Sequence, residues 1–199
     1  MNDNVQAEWE RFLDPKELRP NLILASLYIA AFEILKNSII ERIRDFYITG
    51  FVGKDWIISP DYQERVLSKD RSITYASLKW LKESQAISDE DIEKFNKAKE
   101  CRNLLAHEIT KFLARGLPPE FSGCFNDMIA LLNKIEKWWI INVELETDPD
   151  LSEKRDEIDE SGIVPGPILS LRMMVDIALG SDETANFYIS EFKKNLSGG

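Results

Sequence analysis

Apolar residues along this chain recur every three and four positions, and no segment alternates cleanly with period two over the length of a strand. The pattern predicts helices joined by short breaks. A first helix is expected over residues 4–13, ending ahead of Pro15. A long one follows Pro20 over 21–47, with Leu24, Leu27, Ala31, Ile34, Leu35, Ile39, Ile43 and Phe46 on its apolar side and Gly50 and Gly53 beyond its end. A loop carrying Trp56 and Pro60 leads to a shorter helical pair over 62–67 and 73–83.

Ser88 then offers a side-chain oxygen with Asp91 three residues on, which resembles a capping box with Asp in the usual place of Glu. The helix it opens is expected over 89–114, closed by Gly116 and the Pro118-Pro119 pair. Another spans 121–145, with Phe125, Ile129, Leu132, Ile135, Trp139 and Val143 on one stripe. From Glu144 to Pro167 the character changes: ETDPDLSEKRDEIDESG is acidic and poor in large apolar groups. Such a segment buries too little to offset the entropy of ordering, so a mobile loop is expected. Two last helices follow, over 168–179 and 182–194. The fold class is therefore all-α: a helical extension over 1–20, a bundle of about four core helices over 21–145, the acidic loop over 146–167, and C-terminal helices over 168–199 packed on the core.

Composition narrows the function. With 199 residues, 44 % of them hydrophobic, the chain can bury a core without covalent staples. Cys101 and Cys124 belong to no CxxC or CxxH cluster, so neither a disulfide framework nor a zinc site is expected, and both read as small buried hydrophobes in a reducing cytosol. The opening MNDNVQAEWERF lacks a basic start followed by an apolar run, so no signal peptide is expected. The greasiest stretch, 22–35, is broken by Ser26 and Glu33 and reads as a core helix rather than a membrane span. A cytoplasmic protein without metal or cofactor is the expectation, since no Gly-rich phosphate loop, HExxH or nucleophile elbow is present. A net charge of −10 argues against a broad basic surface for nucleic acid and leaves room only for a small local site.

His107 is the sole histidine, and histidine is the side chain whose titration suits proton transfer near neutral pH. At 100° per residue, Phe95, Ala98, Leu105, Ile109 and Phe112 mark the core-facing arc of its helix. Arg102 falls inside that arc, where a guanidinium must be paired or its stem must snorkel out. His107 lies roughly 140° around from Arg102, among Asn96, Asn103 and Glu100. Between them runs a strip of Lys99, Asn103, Ala106, Thr110 and Ala114, mostly small side chains. The strip faces either a neighbouring helix or water, or it forms a two-fold seam with a second copy of the chain. The seam reading predicts a homodimer in which both His107 and both Arg102 side chains share one cleft.

The run Arg102-Asn103-Leu104-Leu105-Ala106-His107 resembles the arginine-polar-x-x-x-histidine signature of the HEPN superfamily, on a late core helix preceded by a long N-terminal one. The resemblance covers about 21–145. It implies an all-helical, HEPN-like bundle and, as in many members, a dimeric, metal-independent endoribonuclease of the kind found among toxins of toxin–antitoxin pairs and in phage defence. RNA would be the substrate and an antitoxin or regulatory chain a partner. His107 would move protons, Arg102 would hold the phosphate, and Asn103 would orient the imidazole or touch the phosphate. Lys99 would add phosphate affinity and Glu100 would orient His107, although both could equally be solvated. Ile109 stands where many toxin members carry a tyrosine, which speaks against regulation through that position. Some members are inactive, so the alternative is a non-catalytic dimerisation or interaction module of the same fold. Trp138-Trp139 reads as core rather than as a platform for bases.

Overall fold

Asp14 and Pro15 start the helix around which the rest is built. The Asp14 carboxylate accepts the Lys16 N–H, and Pro15 occupies the first turn with its φ already set for a helix. In the computed structural model, which describes residues 3–149 and 158–197, this helix is α2, Pro15–Phe46. It follows α1 (Asp3–Leu13) after one residue. The helix does not wait for Pro20, as the sequence suggested. Pro20 lies one turn inside and removes a single backbone bond, and the capped turn before it holds. By length and composition α2 could cross a membrane, yet nine of its residues are buried in this protein, among them Phe32, Leu35, Ile39 and Ile43.

The expected loop around Trp56 is instead a hairpin, β1 (Ile48–Val52) with β2 (Asp55–Ile58), antiparallel with Phe51 opposite Trp56. Gly53 supplies the positive φ, +64°, that its two-residue turn requires. The hairpin escaped the sequence reading because both faces of its short strands carry apolar groups, so no alternation exists. Phe51, Val52 and Trp56 are exposed.

The helices α3 (Pro60–Arg65) and α4 (Ile73–Glu83) follow, then α5 (Asp89–His107), α6 (Ile109–Arg115) and α7 (Glu120–Trp139). The single helix expected over 89–114 is therefore two, broken at Glu108, whose ψ of 26° leaves the helical range. The periodicity hid the break because Leu105, Phe112 and Leu113 are buried on both sides of it. The helix α7 continues through a π-helical turn, Ile140–Glu144, into Leu145–Thr147. Thus the start of the expected loop is helical. Its end is also held: Asp159 caps a 3-10 turn, Glu160–Gly162, whose carbonyls accept from Lys137, and Pro165 is buried. The remainder of that loop, 150–157, lies outside the described residues.

Two more helices, α8 (Gly166–Leu179) and α9 (Asp182–Ser197), complete an all-α fold that is 80 % helical. The helix α8 buries Ile168 and Leu171 against α2 and α7. The helix α9 rests on α8 instead and leaves Phe187, Phe192 and Leu196 exposed. The core proper lies between α2, α4, α5 and α7. Phe32 of α2 stacks on Phe95 of α5 with centroids 5.7 Å apart, and Trp80 of α4 stacks on Trp139 of α7 at 5.8 Å. Trp139 is thus core, as its place on the stripe implied. One buried carboxylate, Glu136 at 1 % exposure, accepts from Ser38 and from two nitrogens of Arg42, and Arg42 also reaches Glu144.

Candidate active site

The helix α5 is fixed at its start by the capping box. The Asp91 N–H donates to the Ser88 hydroxyl and the Ser88 N–H donates to the Asp91 carboxylate. Burial alone would raise the Asp91 pKa, but bonds from Lys134 and Ser88 outweigh it and hold this carboxyl below its ordinary value. Phe95, Ala98 and Leu105 then seat the helix against α2 and α7, while Ile109, beyond the break, is only partly buried. This seating sets the direction of every candidate side chain.

Arg102 turns toward α2. Its Nη2 donates to Glu33 Oε1 at 2.9 Å, and its guanidinium carbon lies 5.8 Å from the centre of the Phe32 ring. The misplaced arginine of the core arc is therefore paired within the chain, as its position required, with a partner, Glu33, that the sequence reading did not identify. Its Nη1 makes a long bond to Asn103 Oδ1, 3.4 Å, and its Nε is buried without a partner. Side-chain exposures of 34 % for Arg102 and 37 % for Glu33 make this a half-open pair. Ion pairs this open contribute on the order of 0.2–1 kcal/mol.

A cleft of about 160 Å³ opens beside that pair, between α2, the start of α4, and α5. Lys36, Lys99, Asn103, Ser72 and Thr74 line it together with Arg102 and Glu33. Lys36 Nζ lies 3.4 Å from Glu33 Oε2. Lys99 donates to the Tyr75 hydroxyl at 3.3 Å, and Tyr75 in turn donates to Asn96 at 2.8 Å. Sequence reasoning found Lys99, Arg102 and Asn103 but missed Glu33, Lys36, Ser72 and Thr74. The signal for Glu33 was present: a carboxylate interrupts the greasiest stretch of α2 just as an arginine interrupts the apolar arc of α5.

His107 sits elsewhere. It is exposed in the last turn of α5, makes no hydrogen bond or ion pair among the described residues, and does not line the cleft. Five residues on an α-helix amount to about 140° of rotation and roughly 7.5 Å of rise, so one chain alone does not bring its imidazole to Arg102. Glu100 is exposed and also outside the cleft lining. Of the small-residue strip, Asn103, Ala106 and Thr110 are exposed. Its far end is taken by α1, where Trp9 and Phe12 border a cavity with Thr110 and Ala114, and Glu8 pairs with Arg115.

Comparisons of the chain with family models, with curated proteins and with solved structures gave no match.

Proposed function

We propose that this protein is a metal-independent endoribonuclease of HEPN type, cytoplasmic, acting as a homodimer in a toxin or phage-defence setting, with Arg102 and His107 in a centre shared by two copies. The observation that carries the reading is the display on α5. A half-open arginine, an exposed asparagine and an exposed histidine unpartnered among the described residues stand in the arginine-polar-x-x-x-histidine order, and the strip between them is exposed at Asn103 and Ala106. The divergence of Arg102 and His107 within one chain supports a centre completed across a two-fold axis.

The chemistry is that of an internal transesterification. The imidazole of His107 takes the proton of the substrate 2′-OH, which attacks the adjacent phosphorus. The planar fork of Arg102 meets the charge that builds on the phosphorane oxygens. A protonated imidazole then delivers a proton to the departing 5′-oxygen. Asn103 contacts the same phosphate. Cleavage assays with purified protein and single-stranded RNA in EDTA test this reading. The expected products carry a 2′,3′-cyclic phosphate and a 5′-hydroxyl, with 2′-O-methyl RNA and DNA inert. His107→Ala is expected to lower the rate about a hundredfold or more, as loss of one aimed group commonly does. Loss of activity in EDTA, or 5′-phosphate ends, contradicts the mechanism.

The Arg102–Glu33 pair favours a second reading, in which Arg102 is structural and the molecule is a non-catalytic dimerisation or interaction module of the same fold. That reading expects no cleavage and expects growth arrest, if any occurs, to survive His107→Ala.

A further inference from the structure

Three cations from two helices converge on the cleft beside Arg102, in a chain whose net charge is −10. Lys36 comes from α2, and Lys99 and Arg102 from successive turns of one face of α5. A single carboxylate, Glu33, stands among them. Its two oxygens are spent on two different cations, Arg102 at 2.9 Å and Lys36 at 3.4 Å. Among the described residues, Lys99 meets only the Tyr75 phenol. The cleft thus keeps an excess of two positive charges. The wall opposite is the start of α4, where Ser72 and Thr74 line the cleft; the Ser72 N–H there donates to Asp70, whose carboxylate is paired with Lys79, and no side chain caps the N–H groups that follow. A tetrahedral oxyanion fits such a lining: it takes charge-assisted bonds from the ammonium groups and neutral ones from the hydroxyls. Glu33 carries one charge spread over two oxygens, where a phosphodiester would offer the same charge and the same two-oxygen geometry to the guanidinium fork.

We propose that this cleft is a phosphate subsite for single-stranded RNA, in which Lys36, Lys99 and the α4 start hold a backbone phosphate next to the one at Arg102, with Glu33 as the internal counter-ion that the RNA displaces. The proposal rests on the ribonuclease reading for the identity of the strand, and it adds a direction: from the phosphate at Arg102 the RNA runs toward α4. Because the Arg102–Glu33 pair is half exposed, its displacement is cheap, and Glu33 then acts as a brake on binding rather than as a support for it.

The test uses a fluorescent 2′-O-methyl RNA oligonucleotide, whose binding to the full-length protein is followed by anisotropy across a salt series. Each phosphate neutralised on a single strand contributes a slope of about −0.7 to log K against log salt, so losing this one phosphate in Lys36→Gln with Lys99→Gln is expected to flatten the slope by roughly 0.7. Glu33→Gln is expected to tighten binding severalfold. An unchanged slope in the double variant, weaker binding in Glu33→Gln with an unaltered melting curve, or no binding by wild type overturns the subsite. Displacement of the RNA by inorganic pyrophosphate at far lower concentration than by unlabelled RNA would assign the cleft to small phosphate compounds and overturn the RNA assignment. Failure of the ribonuclease reading shows separately, as intact unmodified RNA in parallel reactions while the binding arms still behave as expected.

Discussion

Arg102 joins α5 to α2 through a half-open ion pair with Glu33. Its place on an apolar arc was legible, and so was its need for a partner. The partner was not, because Glu33 lies on a different helix and only the packing of α2 on α5 brings them together. His107 was legible as a side chain turned away from the core, and it is exposed. The two cysteines were read as small buried hydrophobes. They are only partly buried, and their sulfurs lie 3.0 Å apart, between α5 and α7. Burial, with Cys124 and its charge as a second cause, pushes the Cys101 thiol up to about 11. The thiolate, not the thiol, reacts, so Cys101 at pH 7.5 has roughly a hundredfold less reactive form than an unshifted cysteine. Timed alkylation with iodoacetamide, followed by peptide mass spectrometry, is expected to find Cys101 almost unmodified in the folded protein and rapidly modified in urea. Modification at the rate of a free thiol in the native state would contradict the assigned environment.

Among the elements, α5 was the most fully anticipated at its start and the least at its end. Capping chemistry is local and is written in Ser88 and Asp91. The break at Glu108 is not local: no glycine or proline marks it, and the packing of Phe112 and Leu113 decides it. The hairpin 48–58 was illegible for the related reason that cross-strand pairing, not periodicity, specifies it. Removal of the cap by Ser88→Ala is expected to cost about 1 kcal/mol, which for a chain of this size lowers the melting midpoint by about 2–4 °C. The pH dependence follows from Asp91. Its folded pKa lies below the ordinary 3.8, so its stabilising contribution is present above that value and is lost as pH falls through the folded pKa. Thermal melts between pH 6 and pH 2.5 are expected to show Asp91→Asn less acid-sensitive than wild type, and parallel curves would refute the assignment. Two residues beyond Lys134 on α7, Glu136→Ala strands Arg42 and Ser38 beside a buried void. The expected loss is about 2–4 kcal/mol by urea denaturation, and a loss under 1 kcal/mol would show that Arg42 is satisfied by Glu144 alone.

The whole molecule is where sequence reasoning is strong on class and silent on assembly. The all-α architecture follows from periodicity, and the seating of α8 on α2 and α7 from its apolar content. Whether two copies meet along Asn103, Ala106 and Thr110 depends on a partner surface that one chain's pattern does not specify. Part of the strip expected to form the seam is already taken by α1. Sedimentation at micromolar concentration is expected to give twice the chain mass of 23.0 kDa, and Ala106→Arg is expected to give the monomer without unfolding it, since that side chain is exposed.

The central claim is that Arg102 of one copy works with His107 of the other, and mixing two dead variants tests it most directly. Arg102→Ala and His107→Ala are each expected to be inactive on RNA. Unfolded together and refolded as a mixture, half of the dimers pair one variant with the other. Each such dimer regains one intact centre of two, so about a quarter of wild-type activity is expected to return. A mixture as inactive as its components, with heterodimers shown to be present, would contradict the account.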